Sequence, residues 1–233
     1  MLALIGAGYT LQKFKSIYPA YDFYETHRDN LLATEDHVKG DLSFLDKVQG
    51  LVFSLPPSKS ALNLVRNLNF EGKAILLSSI GVYSKEEAVI NETGAIGISE
   101  RSQLIRQIEI EFLKLPEAVV LRLGGLFDEN RHPVKYIIKN NSHPEAQELV
   151  NFVHIDDVCE SIHFMLKNRG EHKVYNIVDQ NHPTKEEYYT KIASRLNLEP
   201  IKFSKNPVVK SQIDSSRIIS EFSTNSDFLN KVR

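Results

Sequence analysis

Short apolar segments alternate with segments of helical periodicity through the first half of the chain. The apolar segments are residues 2–5, 21–25, 51–55, 74–77 and 119–123. Two intervening segments, 58–68 and 99–115, carry apolar residues at helical spacing, and Ser99 is the expected N-cap of the second. This alternation predicts an α/β fold, in which parallel strands form a sheet that is covered by helices on both faces.

The second half of the chain changes character after the two glycines at 124 and 125. A polar stretch at 139–148 predicts a loop, residues 173–178 predict a strand, and residues 185–196 predict a helix. With 233 residues, of which 42% are hydrophobic, the chain can bury one sizeable core.

We therefore expect a single domain over residues 1–233. We expect a small C-terminal lobe against the edge of the sheet, formed by approximately residues 126–150 and by residues 179–233.

The charge balance and the cysteine content restrict the classes of partner. The formal net charge is −2 and there is no dense run of Lys and Arg, so we expect no nucleic-acid partner. No stretch approaches the roughly 18 apolar residues of a membrane span, so we expect no membrane association. The single cysteine, Cys159, fits a reducing cytoplasm, and its place in a helical apolar stripe predicts a packing role.

A short glycine motif follows the first apolar segment. Gly6 and Gly8 stand where a dinucleotide-binding turn needs a tight bend and a close backbone approach to a pyrophosphate, but Leu11 stands at the third glycine position. The motif predicts a pyrophosphate site at a helix N-terminus. An ordinary strand-to-helix turn with two glycines is the alternative.

The end of the second apolar segment bears on the choice of dinucleotide. Glu25 lies 19 residues after Gly6, where a carboxylate accepts from a ribose hydroxyl, but Thr26 and Arg28 offer a clamp for a 2′-phosphate. We therefore expect NADP, with NAD as the alternative. A solvated surface charge is the alternative role for Arg28.

Six ordered segments extend this pattern over nearly the whole chain. They resemble the landmarks of the NAD-dependent epimerase/dehydratase family, within the extended short-chain dehydrogenases/reductases, and are closest to its atypical, nucleoside-diphosphate-sugar epimerase-like members. The segments are GDLSF (40–44), FSLPPS (53–58), LLSSIGVYS (76–84), VVLRLGGLFDENR (119–131), NFVHIDDVCESIHFML (151–166) and KVYNIVDQNHPTKEEYYTKIASRLNL (173–198).

The resemblance implies a Rossmann-type doubly wound parallel sheet with a small C-terminal substrate lobe. The cofactor would lie across the carboxyl edge of the sheet, with a substrate pocket between that edge and the lobe. The cofactor-binding residues implied are Gly6, Gly8, Tyr9 and Thr10 at the pyrophosphate, Thr26 and Arg28 at the adenosine ribose, Asp41 and Leu42 at the adenine, Leu55 and Pro56 at the nicotinamide ribose, and Ser78.

The catalytic residues of the family are only partly present. Ser79 matches the serine that polarises the substrate, but the region 97–109 has no Tyr-x-x-x-Lys pair. A free phenol has a pKa near 10 and is a poor base without the neighbouring ammonium. Tyr83 is the candidate replacement, with Arg101 as its positive charge; a packing and positioning role for Tyr83 is the alternative.

The segment 154–157 reads His-Ile-Asp-Asp, which contains residue types that ligate zinc or manganese. We expect a structural role instead, in which His154 ends a strand and Asp156 or Asp157 caps the following helix. No metal site is predicted.

Three functions remain open on these observations. The first is an NAD(P)-binding atypical short-chain dehydrogenase/reductase, an oxidoreductase or epimerase that acts on a nucleotide-sugar-like small molecule as a monomer or homodimer. The second is a non-catalytic NAD(P)-binding sensor or scaffold that lacks the Tyr-Lys pair. In the third, Leu11 fills the cleft and the fold survives without a dinucleotide.

Overall fold

A computed structural model describes residues 1–26, 31–34, 38–222 and 227–232. The strands are β1 (Leu2–Ile5), β2 (Phe23–Glu25), β3 (Leu31–Ala33), β4 (Val38–Gly40), β5 (Gly50–Phe53), β6 (Lys73–Ser79), β7 (Val89–Ile90), β8 (Glu117–Leu123), β9 (Gly125–Phe127), β10 (Phe152–His154), β11 (Val174–Ile177) and β12 (Gln212–Ile213). The α-helices are α1 (Tyr9–Ile17), α2 (Lys59–Arg66), α3 (Glu100–Phe112), α4 (Pro133–Lys139), α5 (Ile155–Lys167), α6 (Lys185–Arg195) and α7 (Ser216–Glu221).

Six parallel strands form the central sheet, in the order β11-β8-β6-β5-β1-β2. The order reverses between β1 and β5, so the carboxyl ends of these strands open a crevice in which ligands of doubly wound sheets bind. Three two-stranded pairs lie outside this sheet, namely β9-β10, β7-β12 and β3-β4. The predicted α/β, Rossmann-like fold is confirmed.

Helices cover both faces because alternate residues of each strand point to opposite sides. Leu2 and Leu4 of β1 pack with α1 and α5, whereas Ala3 and Ile5 pack with α2 and α3. Cys159 lies in the first of these clusters and is fully buried, and burial raises the pKa of its thiol to about 12. The predicted packing role of this cysteine is confirmed.

A third apolar cluster joins α4 and α6 beyond the sheet. Val134 and Ile137 of α4 pack there with Tyr188 and Ile192 of α6. Further along the chain, Ile218 of α7 returns to the cluster under the main sheet. The division of the chain into a domain and a lobe stays a prediction.

The cap of α3 is as expected from the sequence, and the cap of α5 is not. The hydroxyl of Ser99 accepts from the Ser102 amide at 3.1 Å. For α5 the expected caps, Asp156 and Asp157, are wrong: the helix begins at Ile155, so His154 is the N-cap and its Nδ1 accepts from the Asp156 amide at 3.3 Å. Both carboxylates then lie in the first turn, where the helix dipole favours them.

Within the described ranges, no helix has both the length and the apolar character that crossing a membrane requires.

Candidate functional site

The turn after β1 requires a glycine at its first position. Gly6 has a φ of +83°, and a Cβ there would lie 2.5 Å from the Ser54 carbonyl oxygen and 2.7 Å from the Leu55 side chain. The bend therefore brings the end of β1 against the loop that follows β5. This is the tight turn that the glycine motif predicts.

Gly8 leaves the N-terminus of α1 open. It is the N-cap of the helix and has no side chain to accept from the first amides. A Cβ at Gly8 would meet only the Gly6 carbonyl oxygen, at 3.9 Å, so the space in front of the helix is free. Unpaired amides and the helix dipole make such an end a binding site for an anion such as a pyrophosphate.

Leu11 does not fill the cleft. Its side chain is fully buried in the cluster beneath the sheet, together with Phe14 of the same helix and Cys159 of α5. The leucine therefore performs the helix packing that the third glycine of the motif otherwise permits. The proposal that Leu11 occludes a dinucleotide loses its physical basis.

A cavity of about 620 Å³ lies beside this turn, at the point where the strand order reverses. Its volume is within the range of about 300–1,000 Å³ that is usual for cofactor and ligand pockets. Four of the sequence-predicted residues line it together: Gly6, Thr26, Leu55 and Pro56. Arg28 lies outside the described residues.

Two other predicted cofactor residues, Asp41 and Leu42, are not among the residues that line this cavity. The Asp41 carboxylate accepts from the amide of Ser43 at 2.7 Å and from its hydroxyl at 2.5 Å, and these bonds lower the pKa of Asp41. This turn opens the 3₁₀ segment Ser43–Lys47. Leu42 is half-buried against the apolar cluster between the sheet and α2.

Tyr9 connects the helix end to the segment after β9. Its hydroxyl donates to Asp128, and the guanidinium of Arg131 lies 5.3 Å from its ring centroid. Thr10, next to it, is buried. Burial alone would raise the pKa of Asp128, but the bonds from Tyr9 and from the amides of Arg131 and Asn130 lower it.

A buried ionic network lies under the carboxyl ends of β6 and β8. Arg122 makes a two-bond contact with Glu109 of α3, with Nε to Oε1 at 2.9 Å and Nη2 to Oε2 at 2.7 Å. Burial opposes the charge of Arg122, but Glu109 outweighs this effect and raises its pKa. The Ser78 hydroxyl donates to Glu109 at 2.7 Å, so this predicted cofactor residue is part of the network.

Tyr83 belongs to the same network. Its hydroxyl accepts from Arg122 at 2.8 Å and donates to Asn176 at 2.6 Å, and only 5% of the residue is exposed. Burial raises the pKa of this phenol, although Arg122 acts in the opposite direction. The geometry favours the packing and positioning alternative for Tyr83 over proton transfer.

Ser79 lies next to Ser78 but outside the network around Glu109. It is half-buried, and its Oγ accepts from the Gly81 amide at 3.1 Å, which caps the 3₁₀ turn Ile80–Val82. That bond uses the oxygen as acceptor and leaves the hydroxyl hydrogen for another partner. Arg101, the suggested partner of Tyr83, is exposed at the start of α3.

The two carboxylates of segment 154–157 pair with different lysines. Asp156 pairs with Lys13 at 3.3 Å, and the buried Asp157 pairs with Lys231. A cluster with metal-ligand chemistry occurs elsewhere in the described part of the chain, at Glu171, His172 and Glu221, where two of the three residues are exposed.

Sequence reasoning missed the Glu109–Arg122 pair, although a signal existed. Glu109 interrupts the apolar stripe of α3, and Arg122 interrupts the apolar run of β8. Because a lone charge is too costly to bury, two charges in predicted buried positions indicate that they pair. The Tyr9–Asp128 contact had no comparable local signal.

No family model matches the chain. The chain is 30% identical over 199 residues to the protein YeeZ of Escherichia coli K12, a match that covers 78% of this chain and 72% of that protein.

Among solved structures, the Bordetella bronchiseptica enzyme WbmG in complex with NAD and UDP is similar with a TM-score of 0.74, at 12% identity over 99% of this chain and 92% of that one. The dTDP-4-dehydrorhamnose reductase of Bacillus anthracis in complex with NADP has a TM-score of 0.72, at 12% identity over 95% and 92% of the two chains. At these identities the structures establish the fold.

Proposed function

Because this chain belongs to the NAD-dependent epimerase/dehydratase family, we propose that it binds NADP or NAD and acts as an atypical short-chain dehydrogenase/reductase. The observation that carries the proposal is the open end of α1. Gly8 places no side chain before the first amides of α1, and a cavity of about 620 Å³ lies beside the turn at Gly6. The solved neighbours bind NAD or NADP by their descriptions, which supports a nicotinamide dinucleotide here.

In this proposal, two sets of residues would hold the dinucleotide. The pyrophosphate would lie against the amides that follow Gly8, and the two ribose groups would lie near Thr26 on one side and near Leu55 and Pro56 on the other. We propose NADP in preference to NAD because Arg28, two residues after Thr26 in the sequence, carries a guanidinium, which suits a 2′-phosphate.

For the substrate we propose a nucleotide sugar or a similar polar carbonyl or hydroxyl compound. A bound nicotinamide supplies the hydride acceptor or donor. Ser79 donates its free hydroxyl hydrogen to the substrate oxygen and so orients the reacting carbon. Tyr83 acts as a positioning residue, because its hydroxyl is already bonded on both sides.

One observation favours the second candidate function, a non-catalytic NAD(P)-binding sensor or scaffold. The region 97–109 lacks the Tyr-Lys pair, and the hydroxyl of Tyr83, the candidate replacement, is bonded to the buried Arg122 and Asn176. Without a poised proton carrier, a bound cofactor would report dinucleotide level and perform no chemistry.

Two measurements separate these functions. Titration of the purified chain with NADPH and NADH, followed by cofactor fluorescence, should give saturable binding, and its absence would reject both functions. Turnover with a panel of nucleotide sugars should then be detectable, and Ser79→Ala should lower kcat by about 10²-fold or more. Binding without turnover for any panel member would favour the sensor, and equal turnover in the variant would remove Ser79 from the mechanism.

A further inference from the structure

A second, smaller cavity lies between the carboxyl edge of the sheet and the C-terminal segments. Its volume is about 190 Å³. Ile80, which follows β6, lines it together with Gly125 and Phe152 of the β9-β10 pair. Ile80 directly follows Ser79, the residue to which we assign the substrate oxygen, so the cavity begins one residue further along the chain.

Two lysines in the wall of this cavity share one carboxylate. Lys85 donates to Glu148 Oε1 at 2.9 Å, and Lys185 donates to Glu148 Oε2 at 2.6 Å. Burial would raise the pKa of Glu148, but the two ammonium groups lower it, so the carboxylate is ionised. The three residues together carry one excess positive charge, and each ammonium has further N–H donors to offer.

A buried hydroxyl in the same wall lacks a partner. Ser211 is 6% exposed, and its Oγ makes no hydrogen bond to any described part of the protein. Its backbone is held in place by Asn151, which donates to the Ser211 carbonyl at 2.8 Å and accepts from the Ile213 amide at 2.9 Å. Because an unpaired buried hydroxyl is costly, one that belongs to a residue of the cavity wall points to a polar partner supplied from the cavity.

We infer that this cavity binds a carboxylate group of the substrate, held by Lys85, Lys185 and the Ser211 hydroxyl. A carboxylate carries one negative charge, which matches the single excess positive charge of the wall, whereas a phosphate monoester carries about 1.5–2. The volume is below the roughly 300 Å³ at which pockets for larger ligands begin, so the group enclosed is small.

The inferred substrate class is therefore an acidic sugar or a similar small hydroxy acid. This assignment rests on the proposed function, because it takes the cavity beside Ser79 as the substrate side of a dinucleotide site. It narrows the proposed substrate class to polar carbonyl or hydroxyl compounds that also carry a carboxylate group.

The test uses ligand-observed NMR on the whole chain with three probes: D-glucuronate, its neutral counterpart D-glucose, and inorganic phosphate. Glucuronate should bind saturably and more tightly than either of the others. The variants Ser211→Ala and Lys85→Gln should each lower the affinity for glucuronate about tenfold, since each removes a hydrogen-bond donor to its carboxylate.

Lys210→Gln is the matched control, because Lys210 lies next to Ser211 in sequence but donates to Gln147, at 2.9 Å. It should change glucuronate affinity by less than about twofold. The inference is overturned if glucuronate fails to bind, if glucose or phosphate binds as tightly, or if Ser211→Ala and Lys85→Gln bind it like the unaltered protein.

Titration of the same unaltered protein with NADPH separates this inference from the proposed function. Glucuronate binding that depends on Ser211, without NADPH binding, would reject the dehydrogenase and keep the carboxylate site. NADPH binding without glucuronate binding would keep the dinucleotide site and reject the carboxylate.

Discussion

Glu109 and Arg122 form a two-bond ion pair in which 0% and 2% of the respective side chains are exposed. The pair joins the last turn of α3 to the end of β8, below the edge at which the site is built. Removing one partner of such a pair leaves the other charge buried and unpaired.

We expect Arg122→Met to lower the free energy of unfolding by about 3–5 kcal/mol, measured by urea denaturation. Arg106→Gln is the control, because Arg106 approaches the same carboxylate at 3.4 Å but has a side chain that is 36% exposed. That variant should cost less than about 1 kcal/mol. If Arg122→Met lowers the free energy of unfolding no more than Arg106→Gln does, the buried pair does not stabilise the fold as we expect.

Gly8→Asp should separate dinucleotide binding from folding. The backbone at Gly8 is extended, with a φ of −80°, and the added Cβ has free space, so an aspartate can cap α1. The thermal midpoint should stay the same or rise, while NADPH affinity should fall by about 100-fold or more through repulsion of the pyrophosphate.

Ser99→Asp places the same residue type at the N-cap of α3, away from the cavity, and should leave NADPH affinity unchanged. If Gly8→Asp binds NADPH as well as Ser99→Asp does, the pyrophosphate does not lie at the end of α1.

Arg28→Ala should lower the affinity for NADPH by about tenfold and the affinity for NADH by less than twofold. The reason is that only NADPH carries the 2′-phosphate that a guanidinium would hold. The measurement is a pair of fluorescence titrations. Arg169→Ala, at a side chain that is 85% exposed, is the control for the loss of one positive charge. An equal loss for both dinucleotides would reject the phosphate clamp.

Tyr83→Phe should lower the free energy of unfolding by about 1–3 kcal/mol, because it removes the donor to the buried Asn176 Oδ1 and one of the two bonds of Arg122 Nη1, which keeps its bond to the Glu92 carbonyl. Tyr136→Phe, at a residue that is 69% exposed, should have no measurable effect. As a positioning residue, Tyr83 can be replaced without changing the pH profile of turnover. A profile that loses an ionisation in Tyr83→Phe would restore the catalytic role.

His132 predicts a pH dependence of stability. Burial, with a contribution from Lys135, lowers its pKa from about 6.5 to about 4. Between these values the unfolded chain binds the proton more readily, so this histidine reduces stability as the pH falls from about 6.5 towards 4. At pH 5 the reduction should be about 2 kcal/mol relative to pH 7.

The variant His132→Asn keeps a capping side chain at α4 and removes the titration, so it should lose about 2 kcal/mol less than the unaltered protein between pH 7 and pH 5. His143→Asn, at an exposed position, is the control. Urea denaturation at the two pH values measures both. Parallel losses in all three proteins would show that His132 does not carry the effect.

The sequence alone determined the order of the elements and the faces that they bury. This information is local, since a period of two or of 3.6 residues decides which side of a strand or helix is apolar. The sequence also predicts that Gly6, Thr26, Leu55 and Pro56 lie close together, because the carboxyl ends of parallel strands meet at one edge of the sheet. In the structure these four residues line one cavity.

The tertiary structure decided which polar groups remain available for a ligand. Ser78 and Tyr83 look like site residues in the sequence, but they bond to Glu109, Arg122 and Asn176 across 31 to 93 residues of chain. Such pairings follow from how the elements pack, and the pattern around each residue does not contain them.

Leu11 shows the same division. In the sequence it stands in place of a cofactor-facing glycine, and only the packing of α1 against α5 directs its side chain into the core. Ser211 is the opposite case, because in the sequence it is an ordinary loop serine. Only the structure shows that Asn151 bonds to its backbone and that its hydroxyl is buried without a partner in the described residues. A side chain's direction and its partners are non-local quantities, so they are decided by the fold as a whole.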